Sequence, residues 1–273
     1  MKFVGHTMGT PNNTVLEAID IFKDIKMDAI ELVSQPDTAF CIDDDSAKIE
    51  EIIKSANANL PEGVITITPY FWDINNADEA KARENIEGLK KAILTAEHMG
   101  AKFVRSYGGN ETAGGTVQEN WDRTVEALKE CAPFAAQHGI TILIENHPST
   151  MTRTGEASYK LVNAVGSDAI KTLYDPCNVM YDTDEDWEYT LDVQQDVIGY
   201  VHVKDYFMDG DTRHACNVGD GIVPWDKIMK KLKYDGYFSF EYEKKWYPAD
   251  LEDAEIGMLK RGPPWGHRVP AYQ

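Results

Sequence analysis

The chain of 273 residues is short of positive charge: 27 Lys and Arg stand against 46 Asp and Glu, for a net charge of -19. Phosphate backbones and anionic lipid are repelled by such a surface, which argues against nucleic acid or membrane as partners. Cysteine is scarce, and Cys41, Cys131, Cys177 and Cys216 are scattered with no C-x-x-C pair. A reducing, cytoplasmic setting is the expectation. No window approaches 18 uninterrupted apolar residues, so no membrane span is expected. The N-terminal MKFVGHTMG lacks the basic-then-apolar pattern of a signal peptide. No G-x-G-x-x-G follows the first apolar run, which argues against a doubly wound dinucleotide fold. No linker divides the chain.

What is present alternates between two periods. Short apolar runs at 2–8, 28–33, 64–69, 102–106, 140–145, 172–175, 200–204 and 237–241 read as strands. Between them, apolar residues recur at helical spacing. Val15, Ala18, Ile19, Phe22 and Ile25 form one face, with Asn13 or Thr14 as the cap. Ile86, Leu89, Ile93, Ala96 and Met99 form another, closed by Gly100, and Trp121, Val125, Leu128 and Ala132 a third. Further helices are expected around 47–58, 156–165, 184–194, 225–232 and 250–259. The segment through Arg213 and Gly219-Asp220-Gly221 reads as a loop. Eight strand-helix units over about 260 residues fit a single-domain (β/α)8 barrel. The domain is expected to span 1–261. The tail 262–273, with Pro263, Pro264 and Pro270, is expected to be a surface segment or an oligomer contact.

The stretch ITILIENH, 140–147, is apolar on both faces and then stops at Glu145. Three later strands end in the same manner, at Asp175 after TLY, at His202 in YVHV and at Glu241 after FSF. The intervals of 30, 27 and 39 residues each hold one strand-helix unit. Neighbouring strands of a barrel bring their C-terminal ends around one mouth. Three carboxylates gathered there would repel one another and take up protons unless a cation sat among them. Three oxygen donors and one imidazole suit one divalent ion, Mn²⁺ first, with Co²⁺, Mg²⁺ or Zn²⁺ as alternatives. Taken singly, each residue is unremarkable: an acid at a strand end is usually a helix cap, and a lone His usually a packed side chain. Four in register are not explained that way.

The motifs IENH, YDPCN, HVKD and FSFEYE resemble those of the xylose isomerase-like, sugar phosphate isomerase/epimerase superfamily of TIM barrels. The segment GDGIVPWDKIMKKLKYDGYFSFEYE is similar to its final part, and the resemblance is strongest over 140–246. It implies metal binding by Glu145, Asp175, His202 and Glu241, and an acid/base role for the two glutamates on a carbon beside a carbonyl. The implied substrate is a small carbohydrate or glycoside, with a homo-oligomer or a partner subunit as the assembly. Return of the proton to the same carbon gives an epimerase, and return to the neighbouring carbon an aldose-ketose isomerase. Expulsion of a leaving group gives a lyase or dehydratase.

One departure bears on these outcomes. Where ketose 3-epimerases, hydroxypyruvate isomerases and inosose dehydratases of this superfamily typically carry a His three residues after the metal Asp, this chain has Asn178. The Asp-Pro-x-Asn form resembles members acting on 3-oxo sugars and glycosides, including those that cleave C-glycosides. In that setting His147 is a candidate general base. Arg213, Lys204, Arg105, Asn178 and His6 are the candidate substrate contacts. Glu31 reads as a polar residue inside the barrel, and Tyr70, Phe71 and Trp72 as packing or a stacking surface. An endonuclease IV-like phosphodiesterase would need more histidines and a less acidic surface. A non-catalytic sugar-binding barrel would have no need of all four ligands.

Overall fold

A computed structural model describes residues 1–251. Eight parallel strands close into a barrel: β1 (Lys2–His6), β2 (Ala29–Ser34), β3 (Val64–Pro69), β4 (Phe103–Tyr107), β5 (Thr141–Glu145), β6 (Ile170–Tyr174), β7 (Ile198–Val203) and β10 (Tyr237–Phe240). Each pairs with its chain neighbour, and β10 closes the ring between β7 and β1. The connecting helices are α1 (Val15–Asp24), α2 (Ser46–Asn59), α3 (Glu79–Met99), α4 (Val117–Gln137), α5 (Gly155–Val165), α6 (Pro176–Asp182), α7 (Trp187–Gln194) and α8 (Trp225–Lys231). The (β/α)8 architecture is the expected one. The helix expected at 250–259 and the 262–273 tail lie outside the described residues.

The predicted helical faces are the buried ones. Ile86, Leu89, Ile93, Ala96 and Met99 of α3 pack on the strands, and Gly100 ends the helix at φ 74°, where a side chain would be strained. Thr14 and Thr116 open α1 and α4 with reciprocal capping boxes to Glu17 and Glu119. Two elements differ from expectation. The segment between β6 and β7 holds two short helices, because Pro176 starts α6 directly at Asp175. After β7 the chain makes an antiparallel hairpin, β8 (Asp205–Asp209) and β9 (Thr212–Cys216), turning at Gly210. Asp205 anchors the returning loop by accepting N–H bonds from Gly219, Gly221 and Val223.

Inside the barrel the inward rows change character in two-residue steps. Val4, Ala29, Leu143, Leu173 and Tyr200 form an apolar plug with Phe103 and Tyr237. Two residues on along their strands stand His6, Glu31, Glu145, Asp175, His202, Arg105 and Ser239. Side chains alternate along a strand, so both sets point inward and the polar set lies toward the C-terminal mouth.

The opposite face is tied by one carboxylate. Glu62, just before β3, accepts from Lys2 at 3.0 Å, Lys102 at 3.1 Å and the Tyr237 hydroxyl at 2.9 Å. It thereby joins β1, the residue leading into β4, and β10. Those three donors hold its carboxyl at about 2, against an ordinary 4.5. A depressed carboxylate stabilises the folded state above its unfolded pKa, and that contribution fades as pH falls. Glu62→Gln is expected to lower stability by on the order of 1 kcal/mol at neutral pH. In denaturant titrations the difference from wild type should be flat above pH 5 and shrink between 4.5 and about 2. A difference independent of pH would refute the ionic role.

Candidate metal centre and active site

Each candidate ligand is placed by local chemistry. Glu145 is the last residue of β5 and 2 % exposed. Asp175 caps α6, its Oδ1 accepting the Asn178 N–H at 2.9 Å, which leaves Oδ2 turned to the barrel axis side with His202. His202 lies in β7, and Glu241 directly follows β10. One ligand atom from each of the four residues lies within 4.8 Å of all the others. From His202 Nδ1 the carboxylate oxygens stand at 3.5 Å (Glu145), 4.0 Å (Asp175) and 3.3 Å (Glu241). Donors bound at about 2.1 Å to one ion stand roughly 3 to 4 Å apart, so this spacing suits one. His202 Nδ1 is buried with no hydrogen-bond partner, as a ligand nitrogen would be in the unbound state.

Charge points the same way. The contact-linked cluster holds five carboxylates, Glu31, Glu145, Asp175, Glu241 and Glu243, and three fixed cations, Arg105, Lys204 and Arg213. Two negative charges remain over among these described residues, the charge that one divalent ion cancels. Burial pushes the Asp175 carboxyl up to about 6; Lys204 offsets this only in part, because Glu241 and Glu145 act in the same direction as burial. Burial opposes charge on His202 as well, yet Glu241 and Glu31 outweigh it and raise its pKa well above the ordinary value. A cation among the carboxylates would take over that proton's work. For Glu145, burial is outweighed by His202 and Arg105, which lower its pKa. Arg105 is the fixed charge beside it, since burial lowers the His147 pKa and keeps that imidazole neutral.

The remaining sequence candidates divide into two groups. Lys204, two residues past His202, reaches Asp175 Oδ2 at 2.9 Å, Glu241 Oε2 at 2.6 Å and Glu243 Oε1 at 3.3 Å. Arg105 lies 3.5 Å from Glu145 Oε2 and is stacked against Tyr70 and Tyr107, with Nε and Nη1 lacking hydrogen-bond partners. His147 gives its Nδ1 proton to the Pro148 carbonyl at 2.8 Å. A carbonyl only accepts, so the unprotonated nitrogen is Nε2. The ring stands edge-on to Trp72 and Tyr107, which stack on each other at 3.7 Å.

The other three candidates serve neighbours. Asn178 Nδ2 donates to Glu145 Oε1 at 3.3 Å and to the Asn146 carbonyl at 3.2 Å. His6 directs Nε2 toward Glu31 and Glu241 at 3.4 and 3.7 Å. Arg213, on the hairpin, pairs with Glu243 at 2.8 Å and stacks over Tyr181, rather than pairing with Asp209 or Asp211 nearby in sequence.

Three positions escaped the sequence reading. Asn146 ties the ends of β5 and β6, donating to the Asp175 carbonyl at 2.6 Å and accepting the Asp175 N–H at 3.0 Å. Glu243 bridges Lys204 to Arg213. Thr152 donates to the Glu145 carbonyl at 3.0 Å. The second acid of FSFEYE was a signal for Glu243, because it shares the face of Glu241.

Among the described residues no helix is long and apolar enough to cross a membrane. The model of the xylose isomerase-like TIM barrel family matches residues 19–262. An inosose dehydratase of Glaesserella parasuis serovar 5 is 24% identical over 214 residues, covering 67% of this chain and 71% of that protein. Among solved structures, a D-tagatose 3-epimerase-like protein superposes with a TM-score of 0.77 at 19% identity, covering 96% of both chains. The IOLI protein with a bound zinc atom also gives 0.77 at 19% identity, covering 95% of this chain and 96% of that one. These two likenesses carry the fold. With a family match over most of its length and a closed barrel that gathers four candidate ligands at one mouth, this chain belongs to the xylose isomerase-like TIM barrel family.

Proposed function

We propose that the protein is a divalent-metal-dependent isomerase or epimerase acting on a ketose, a polyol-derived ketone or an oxidised sugar. The observation that carries this reading is the gathering of Glu145 and Glu241 within one four-residue ligand set. The ion is held by Glu145, Asp175, His202 and Glu241, Mn²⁺ being the first choice for three oxygens and one nitrogen. When bound, it supplies positive charge beside the substrate carbonyl and acidifies the neighbouring C–H. Glu145 takes that proton and Glu241 delivers one, each reaching the same substrate from its own strand end. Lys204 orients the substrate oxygens nearest Asp175 and Glu241, and Arg105 turns its open donors to the far side. Arg213 clamps the hairpin to Glu243 and so shelters Lys204 from water. Asn178 and His6 act through the ligands they touch.

The second reading is a lyase acting by elimination on a 3-oxo sugar or glycoside, and the tautomer of His147 favours it. A neutral imidazole with an unprotonated Nε2, beside an aromatic wall, is equipped as a base. The inosose dehydratase relative lies on this side and the epimerase-like neighbour on the other.

Proton NMR in D2O with Mg²⁺-loaded protein separates the two, using ketoses, inososes, hydroxypyruvate and 3-oxo-glycosides. Deuterium should enter beside the carbonyl with the carbon skeleton retained. Release of water or an aglycone would overturn the isomerase reading in favour of the lyase. Glu145→Gln should lower turnover by about 10²- to 10⁴-fold with an unchanged circular dichroism spectrum; wild-type rates would overturn its role. Asp175→Asn and His202→Ala should each lose bound metal in elemental analysis, and full occupancy in both would show the ligand set to be wrong. His147→Gln should leave deuterium exchange intact under the first reading and abolish elimination under the second.

A further inference from the structure

Beneath the ligand set lies a carboxylate that it does not use. Glu31 of β2 is completely buried. Its Oε1 faces His202 Nε2 at 3.2 Å and accepts from Thr68 Oγ1 at 2.5 Å, and its Oε2 accepts from Tyr200 at 3.0 Å. His6 Nε2 is a further 3.4 Å neighbour of Oε1.

His6, His202 and Glu241 are also close enough to hold an ion of their own. Hydrogen bonding decides against it. His6 Nδ1 accepts the Met8 N–H at 3.1 Å, so the His6 proton sits on Nε2 and that nitrogen is a donor, with no lone pair for a metal. His6 therefore points a proton at Glu31 and Glu241.

His202 faces the opposite choice. Its Nδ1 stands 3.3 to 3.5 Å from Glu241 and Glu145, both ready to accept a proton. Left alone, the neutral ring would gain by carrying its proton there, which blocks the ligand position. Glu31 offers a buried acceptor to the other nitrogen. A carboxylate on the remote nitrogen of a ligating imidazole fixes its tautomer and rotation and increases its basicity.

We propose that Glu31 is a positioning residue that sets the metal affinity of the site, by holding the His202 proton on Nε2 and presenting Nδ1 to the ion. This rests on the proposed ligand set. Titration calorimetry with Mn²⁺ should show binding weakened about 10- to 100-fold in Glu31→Gln and Glu31→Ala. Loss of a nearby negative charge would also weaken binding, so a second readout is needed. In Zn²⁺-loaded wild type, long-range ¹H–¹⁵N NMR should show His202 bound through Nδ1 and protonated on Nε2. In metal-free Glu31→Ala, titrated to a pH at which the imidazolium has lost one proton, the neutral ring should show the remaining proton moved toward Nδ1. Unchanged affinity in both variants overturns the proposal, as does an unchanged His202 tautomer. Zinc on Nε2 in wild type overturns it without any variant having to fold. Wild-type protein that binds neither metal instead refutes the ligand set itself, and the role of Glu31 with it.

Discussion

The surplus of negative charge at the barrel mouth is the constraint on which the rest of the site depends. Carboxylates buried this closely do not stay ionised without compensation. Here the compensation comes in layers. Arg105 sits by Glu145, and Lys204 lies between Asp175, Glu241 and Glu243. Arg213 takes up the outer oxygen of Glu243. The deficit left by these three cations equals the charge of one divalent ion, and His202 Nδ1 lies in the same cluster, buried and without a hydrogen-bond partner. Even the hairpin β8–β9 is drawn in by this requirement, since Arg213 reaches the cluster only because the hairpin folds back over it. Under the proposed metal site, the cations thus serve metal binding as much as substrate binding.

The barrel delivers the cluster through strand alternation. Along β7, Tyr200, His202 and Lys204 share one face, as do Tyr237, Ser239 and Glu241 at β10. Each row runs from apolar plug to ionised mouth in two or three steps. The plug keeps water out from below, so every charge above it is felt at low dielectric. Glu31 stands at the boundary between plug and mouth, where its partners among the described residues are Tyr200, Thr68 and the two imidazoles.

Much of this was written in the sequence, and the reason is physical. ILIE, TLYD and FSFE are apolar runs that stop on a candidate ligand, and YVHV carries one within it; both period and interruption survive without knowledge of tertiary contacts. Lys204 was readable from its spacing to His202. Asn146 was not, because its function is to join β5 to β6, and that depends on register. Glu31 was legible as a polar residue in a buried strand, but its aim at His202 needs the barrel closed through β1 and β10. The hairpin did leave a trace, Gly210-Asp211 between two extended runs. No alternating apolar pattern marks its strands: β8 holds the unbroken run Tyr206, Phe207, Met208, with the last two exposed, and β9 is largely polar.

Under the proposed chemistry, with Glu145 as the base, the reaction outcome turns on two of its neighbours. Asn178 donates to Glu145 Oε1 and cannot accept or release a proton there, so its hydrogen bond favours the ionised carboxylate at all working pH values. A His in that position would bring a second titratable group against the base. This chain instead places its titratable imidazole at His147, two residues beyond Glu145 and held neutral by burial with Nε2 unprotonated. The titratable imidazole thereby stands on the β5 side of the site instead of the β6 side, next to Trp72 and Tyr107. A base there can act on a substrate atom that neither glutamate serves, provided that the substrate extends toward that aromatic wall. Whether a compact ketone or an extended glycoside fills the mouth therefore decides whether His147 takes part, and with it whether the first proton transfer ends in return or in elimination.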